Sequence, residues 1–190
     1  RASMSTTMRE SFKAIADQLI TKYNPKKILE IGSNDGVFIR NFATDMVVAV
    51  EPCENLADIT TEMGYTTYPV FWGDEEATKI IGKHGKMDII FSANTVSHIP
   101  DLVDTFGAVE KTLTADGIFI FEDPSLLSVM KNGSYDQFYD EHAHVFSILA
   151  LDNLLKSIGL EIFEIENLTT HGGSNRLYVK KKRSREKKCI

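Results

Sequence analysis

The residues best suited to bind a ligand form a glycine-containing turn after a short apolar run. The segment reads ILEIGSNDG over residues 28–36, with glycines at Gly32 and Gly36. Glycine permits sharp turns and close approach of the backbone to a ligand. A dinucleotide fingerprint would need GxGxxG, but Asn34 stands at its second glycine position. The spacing therefore favours a nucleoside without a pyrophosphate, with an ordinary strand-to-helix turn as the alternative.

Two carboxylates and a helix start accompany the turn. Glu30 lies in the strand before it, and Glu51 ends the next predicted strand, just before Pro52. Apolar residues between 37 and 42 predict a helix directly after the turn, and a helix start presents free backbone amides to a ligand. We expect the helix start to face the nucleoside.

A second group of chemically capable side chains lies between residues 139 and 144. Asp140, Glu141, His142 and His144 form a D-E-H-x-H pattern, and carboxylates and imidazoles are ligands for zinc, manganese or iron. In an extended strand His142 and His144 would face the same side. The residues alone leave a metal site open as one interpretation.

Alternating strands and helices predict a doubly wound parallel sheet that positions both groups. The predicted strands are 28–31, 46–50, 67–71, 87–92, 118–122 and 160–168, and 176–180 forms a closing hairpin with the strand before it. The predicted helices are 5–23, with a capping box at Thr7 and Glu10, then 37–42, 55–63, 75–81, 100–113 and 147–159. Residues 123–146 show no sustained helical pattern.

Ligands of an open parallel sheet bind beyond the carboxyl ends of its strands. The unusual polar clusters all fall at that edge: 32–36, Glu51, 71–74, 94–98, 123–144 and 171–174. Within them, Phe71 and Trp72 either flank an adenine or pack in the core. His98 is either catalytic or a loop histidine bonded to the backbone.

The pattern of Glu30, GxxxG and Glu51 resembles the S-adenosylmethionine site of Rossmann-like methyltransferases. The resemblance implies an α/β class I methyltransferase fold, with a mostly parallel seven-stranded sheet, helices on both faces and an antiparallel last strand. It implies that Glu51 binds the ribose hydroxyls and that S-adenosyl-L-homocysteine is the product. The cofactor contacts it implies are Glu30, Gly32, Ser33, Asn34, Gly36, Glu51, Pro52, Phe71, Trp72, Asn94 and His98.

Four segments resemble the sugar C-methyltransferases that act on nucleotide-linked keto-deoxysugars. They are EIGSNDG at 30–36, ANTVSHIPDL at 93–102, YDQFYDEHAHVFS at 135–147 and THGGSNRLYV at 170–179. The family implies that a base removes a proton next to a keto group. His142 would be this base, Tyr139 would hydrogen-bond the substrate, and Glu141 would orient or contact it.

Substrate contacts are implied for Asp140, His144, His171, Gly172 and Gly173. The chain departs from the family at Asp140, where histidine is usual, and at residues 143–145, in a segment that usually ends in tyrosine. The family's zinc-binding domain before the core and its extra domain after it have no counterpart in this sequence. We therefore expect a shortened chain, a stand-alone relative, or a partner of companion subunits, with a homodimer as another arrangement. An O- or N-methyltransferase and a non-catalytic cofactor-binding module are the alternatives.

Composition narrows the class of protein. The 190 residues carry a net charge of −6 and suit one domain, which we place at 1–180, followed by a flexible basic tail at 181–190. The acidic body argues against nucleic acid, and the apolar runs are too short for a membrane span. Cys53 and Cys189 lack disulfide or zinc spacing. We expect a cytoplasmic enzyme with a small-molecule substrate, its cofactor S-adenosyl-L-methionine.

Overall fold

A computed structural model describes residues 2–169 and 173–182 of the chain. Its strands are β1 (Ile28–Ile31), β2 (Val47–Val50), β3 (Thr66–Tyr68), β4 (Met87–Ala93), β5 (Leu113–Pro124), β6 (Leu160–Leu168) and β7 (Ser174–Lys181). They form one sheet in the order β3-β2-β1-β4-β5-β7-β6. Only β7 runs antiparallel to its neighbours, β5 and β6. The predicted fold class is thereby confirmed.

Within the described part of the chain, six α-helices accompany the sheet. They are α1 (Thr6–Tyr23), α2 (Glu54–Glu62), α3 (Asp74–His84), α4 (Leu102–Thr112), α5 (Leu126–Asn132) and α6 (Ile148–Ile158). Every residue of β1 and β2 is buried, as expected for apolar strands covered on both faces. One core layer joins α3, α4 and α6 to the sheet, and the other joins α1 and the segment after β1.

The predicted helix at 37–42 is wrong. Only a single 3₁₀ turn forms there, at Ile39–Asn41. The Asn41 side chain donates hydrogen bonds to the carbonyls of Val37 and Phe38, at 3.3 and 2.8 Å, and so competes for backbone acceptors that a helix would use. The loop after β1 therefore presents no α-helix start to a ligand.

Two other local predictions also need correction. The first helix is capped by Ser5, whose side chain accepts from the Met8 amide, and Thr7 and Glu10 lie inside the helix. The connection after β5 contains the short helix α5. Its seven residues are too few to show a helical periodicity in the sequence.

The hairpin of β6 and β7 forms the end of the sheet, with β6 at the edge. Its register shifts between Ile162 and Glu164. β7 reaches one residue beyond the predicted domain boundary, and residues 183–190 of the predicted tail lie outside the described residues. None of the described helices has the length and apolarity that a membrane span requires.

Candidate functional site

A cavity of about 550 Å³ lies at the carboxyl ends of β1, β2 and β4. Nine of its lining residues are predicted site residues: Glu30, Gly32, Ser33, Asn34, Glu51, Pro52, Asn94, His98 and Glu141. The others include Ser5, Met8 and Phe12 of the first helix region, Cys53, and Thr95. The sheet topology therefore brings these polar segments together at this edge.

The loop after β1 is held by the end of β2. The amides of Gly32 and Ser33 both donate to the Val50 carbonyl, at 2.8 and 3.2 Å. One oxygen of the buried Glu51 carboxylate accepts from the Asn34 amide at 2.8 Å, and the other accepts from the Cys53 amide at 3.0 Å. Glu51 thus joins two loops that border the cavity.

The two glycines of this loop have different surroundings. Gly32 has φ +75°, and an added Cβ would overlap the Thr95 side chain. Gly36 has φ +76°, and its Cβ would lie 2.9 Å from Cγ2 of Thr60 in α2. Gly32 lines the cavity, whereas Gly36 is buried against protein and does not.

Glu30 is buried at the base of the cavity with one unpartnered oxygen. Its side chain is 3% exposed, and Oε2 has no hydrogen-bond partner among the described residues. Burial, and then the charges of Glu51 and Asp35, raise the pKa of Glu30 well above its ordinary value. A ligand that donates a hydrogen bond or brings positive charge would supply the missing partner of Oε2.

Tyr139 and His142 form a hydrogen-bonded pair beside the cavity. His142 Nδ1 lies 2.7 Å from the Gln137 carbonyl, which can only accept, so Nδ1 donates. In the neutral tautomer that this contact selects, Nε2 carries the lone pair and accepts from the Tyr139 hydroxyl at 3.0 Å. The backbone contact thus orients the ring so that Nε2 faces the Tyr139 hydroxyl.

His98 connects this pair to the cavity. Its ring packs edge-on against His142, with 4.9 Å between ring centroids, and it also lines the cavity. Burial and the neighbouring His142 lower the pKa of His98, so it is neutral near pH 7. The exposed Glu141 lines the cavity as well. Tyr139 and His142 do not themselves line the cavity, and His98 and Glu141 connect them to it.

His144 is held apart from His142 by its own partners. Its Nε2 donates to the Pro100 carbonyl at 3.1 Å, and its amide donates to the Ser97 carbonyl at 3.1 Å. Within residues 2–169 and 173–182, no three His, Cys, Asp or Glu side chains are grouped closely enough to hold a metal ion. The D-E-H-x-H pattern therefore does not converge as a set of ligands.

The remaining predicted residues lie away from the cavity. Trp72 is buried in the core, with Nε1 donating to the Thr105 carbonyl at 3.2 Å, and Phe71 is 81% exposed. The adenine-flanking interpretation of this pair is not met by their positions, since neither lines the cavity. Asp140 is exposed, and Gly173 accepts at its carbonyl from the Ser125 amide. His171 and Gly172 lie outside the described residues.

Sequence reasoning missed a buried carboxyl at the end of β5. Asp123 is 2% exposed, and its Oδ1 accepts from the Ser97 amide at 3.2 Å. Burial is the main cause that raises the pKa of Asp123 to about 7. Ser97 also binds the His144 amide, so Asp123 supports the segment that carries His142. Its position directly after an apolar strand was the available signal.

Comparisons with known proteins agree with this geometry. The family described as "Methyltransferase domain" matches residues 4–165. The chain is 33% identical over 149 residues to C-methyltransferase NovU of Streptomyces niveus, covering 77% of this chain and 36% of NovU. It therefore spans about a third of the length of that relative.

Solved structures share the fold at low sequence identity. An S-adenosylmethionine-dependent methyltransferase of Clostridium acetobutylicum superposes with a TM-score of 0.69 at 15% identity, covering 90% of this chain and 91% of that one. The CcbJ methyltransferase of Streptomyces caelestis has a TM-score of 0.70 at 14% identity, covering 91% and 90%. The magnesium protoporphyrin IX methyltransferase of Synechocystis, with bound S-adenosylhomocysteine, has a TM-score of 0.63 at 15% identity, covering 90% and 82%.

Proposed function

Because the chain belongs to the methyltransferase domain family, we propose that it methylates a carbon atom next to a keto group of a small molecule, with S-adenosylmethionine as the cofactor. The observation that carries this proposal is the Tyr139–His142 pair. Glu141, next to His142 in the sequence, and His98, whose ring packs against His142, line the cavity that Glu30 and Glu51 border. Methylation of carbon needs a base because a C–H bond must lose its proton, and a neutral imidazole is suited to this near pH 7.

The cavity residues fit the cofactor. The unpartnered Glu30 oxygen and the further carboxylates of Glu51 and Glu141 favour a ligand with sulfonium and ammonium charges. Glu51 already accepts two backbone amides, and each carboxylate oxygen has capacity for one more donor, such as a ribose hydroxyl. When bound, S-adenosylmethionine supplies an electrophilic methyl group to the substrate carbanion and leaves as S-adenosylhomocysteine.

The protein's own part in the reaction is to remove and hold one proton. In the proposed step the substrate C–H bond breaks, its electron pair passes into the enolate, and its proton reaches His142 Nε2. The Tyr139 hydroxyl is hydrogen-bonded to that nitrogen. The hydroxyl therefore either relays the proton or turns to bind the enolate oxygen. The Gln137 carbonyl stabilises the imidazolium through Nδ1–H. A proton later leaves Nε2 to solvent.

The finer proposal is that the acceptor is a keto-deoxysugar, nucleotide-linked as in the family that the four segments resemble. The support is the name of the relative as a C-methyltransferase and the resemblance of residues 135–147 to that family. Asp140, His171 and Gly172 would contact the sugar. Companion subunits or a homodimer would supply further substrate contacts.

Deuterium exchange tests the proton step without methyl transfer. The protein is incubated with S-adenosylhomocysteine and a panel of keto-sugar nucleotides in deuterated water, and mass spectrometry follows uptake beside the ketone. We expect uptake, and a loss of about 100-fold to 10,000-fold in His142→Asn, the usual contribution of a general base.

His84→Asn is the matched control, because its ring bonds to the Tyr68 hydroxyl and does not line the cavity. It should retain exchange within a few-fold. Equal exchange by the parent protein and His142→Asn would place the base elsewhere, with His98 as the next candidate. Methylation of an oxygen or nitrogen without any exchange would replace carbon methylation with an O- or N-methyltransferase.

A further inference from the structure

The first helix is anchored to the core only from its second turn onward. Phe12, Ile15 and Leu19 are buried, and the Phe12 ring packs edge-on against Phe38 and Phe91, at 6.2 and 6.0 Å between centroids. Between residues 3 and 11, side chains are exposed apart from the half-buried Ser3, Met8 and Ser11. The stretch at residues 3–11 therefore needs other contacts to keep its place.

That place is one wall of the cofactor cavity. Ser5 and Met8 line the cavity, together with residues of the loop after β1. The stretch is attached to that loop through Ser3, whose amide and hydroxyl both donate to the Asp35 carboxylate, at 3.1 and 2.5 Å. On the helix side, Arg9 donates to the Ser3 carbonyl at 2.6 Å and to the Thr6 hydroxyl at 2.9 Å.

Asp35 connects this wall of the cavity to the loop after β1. It is 2% exposed, yet it does not line the cavity. Its neighbour Asn34 lines the cavity, and the Asn34 amide donates to Glu51. A buried carboxylate requires donors, and Ser3 supplies two of them. Loss of the Ser3 contacts would take donors away from the Asp35 carboxylate and would also release residues 3–11 from the loop after β1.

Building on the proposed function, we propose that Ser3 and Asp35 form a latch that holds residues 3–11 over the bound cofactor. Asp35 is then a positioning residue, which retains the cofactor through the wall without touching it. Opening the latch would give S-adenosylmethionine and its product a route in and out of the cavity while α1 stays anchored at Phe12.

Release of radiolabelled S-adenosylhomocysteine and hydrogen exchange at residues 4–11 test the latch together. In the parent protein the ligand should slow exchange at 4–11. In Ser3→Ala and Asp35→Asn we expect release to be about tenfold faster, as for loss of a hydrogen bond to a charged group, and the ligand-dependent protection of 4–11 to shrink. Ser3→Thr keeps the hydroxyl and should restore slow release.

Thr21→Ala is the control, because it removes an exposed hydroxyl from the far end of the same helix. It should behave as the parent protein. If Ser3→Ala binds and releases the ligand at the parent rate with unchanged protection, the latch is refuted while the proposed function stands. If the parent protein itself binds no S-adenosylhomocysteine, both proposals fail.

Discussion

The Glu51 carboxylate accepts the Asn34 amide at 2.8 Å, which fixes the loop after β1 to the end of β2. Since the second oxygen holds the Cys53 amide at 3.0 Å, one side chain organises both loops. Glu51 therefore acts on the cavity through its shape as well as through any contact with a ligand.

Replacement of Glu51 by Gln should weaken S-adenosylmethionine binding by about 1 to 3 kcal/mol, because an amide leaves one backbone donor unpaired. Titration calorimetry measures the change. Glu54→Gln, at an exposed helix start, is the control and should bind as the parent protein does. Equal affinity for Glu51→Gln would mean that the loop holds its shape without this carboxylate.

Gly32→Ala should destabilise the protein by more than the cost of its positive φ alone. Gly133 provides the comparison, because it has φ +64° and open space around its Cβ, whereas a Cβ on Gly32 meets Thr95. We expect Gly133→Ala to lose about 1 kcal/mol of unfolding free energy and Gly32→Ala to lose about 2 to 4 kcal/mol. Adding Thr95→Gly should recover part of the difference. Chemical denaturation showing equal losses would exclude the clash.

The sequence was sufficient to predict the sheet and most of the cavity lining, because apolar strand runs and the carboxyl-end rule depend on local pattern. Glu51 was found in this way, whereas Glu30 was implied by the resemblance to S-adenosylmethionine sites. Trp72 could not be placed, since an aromatic side chain at a strand end turns inward or outward according to the helix packed on it, here α4 through Thr105. The loop after β1 was mistaken for a helix start because apolar periodicity does not reveal the local competition of the Asn41 side chain for the Val37 and Phe38 carbonyls.

Binding of S-adenosylmethionine should strengthen as the pH rises through the raised pKa of Glu30. The buried carboxyl holds its proton at a pH where an ordinary glutamate is ionised, and it must lose that proton to pair with a cation. Calorimetry in buffers of different ionisation enthalpy should detect proton release on binding. Glu30→Gln should abolish the release and flatten the pH profile. An identical profile in both proteins would assign the titration to another group.

Asp123→Asn should change the pH dependence of stability. The pKa of Asp123 is about 7 in the folded protein and about 3.9 when unfolded, so between these values the folded state holds more protons and stability falls as pH rises. Relative to the parent protein, Asp123→Asn should gain about 2 kcal/mol between pH 5 and pH 8. Denaturant unfolding at both pH values measures this gain, and Asp136→Asn, an exposed site, should show none. A gain independent of pH would contradict the buried, proton-holding carboxyl.

Tyr139→Phe should lower turnover while leaving cofactor affinity within about twofold. It removes the hydroxyl from His142 Nε2 but keeps the Gln137 contact that orients the ring. A loss of about 100-fold or more in kcat would agree with proton relay or enolate binding by the phenol. Tyr23→Phe, at the end of α1 and outside the cavity lining, is the control. Retained kcat in Tyr139→Phe would leave His142 to act alone.

The edge position of β6 affects how copies of the chain meet in concentrated solution. Phe163 and Ile165 are 39% and 43% exposed there, and an open edge of this kind invites strand pairing and aggregation. Glu161, Glu164 and Glu166 lie along the same strand, each bonded to a Lys or Arg of its own chain. Because a second β6 would bring glutamates against glutamates, and the register shift bends the strand, this edge is protected against fibril growth.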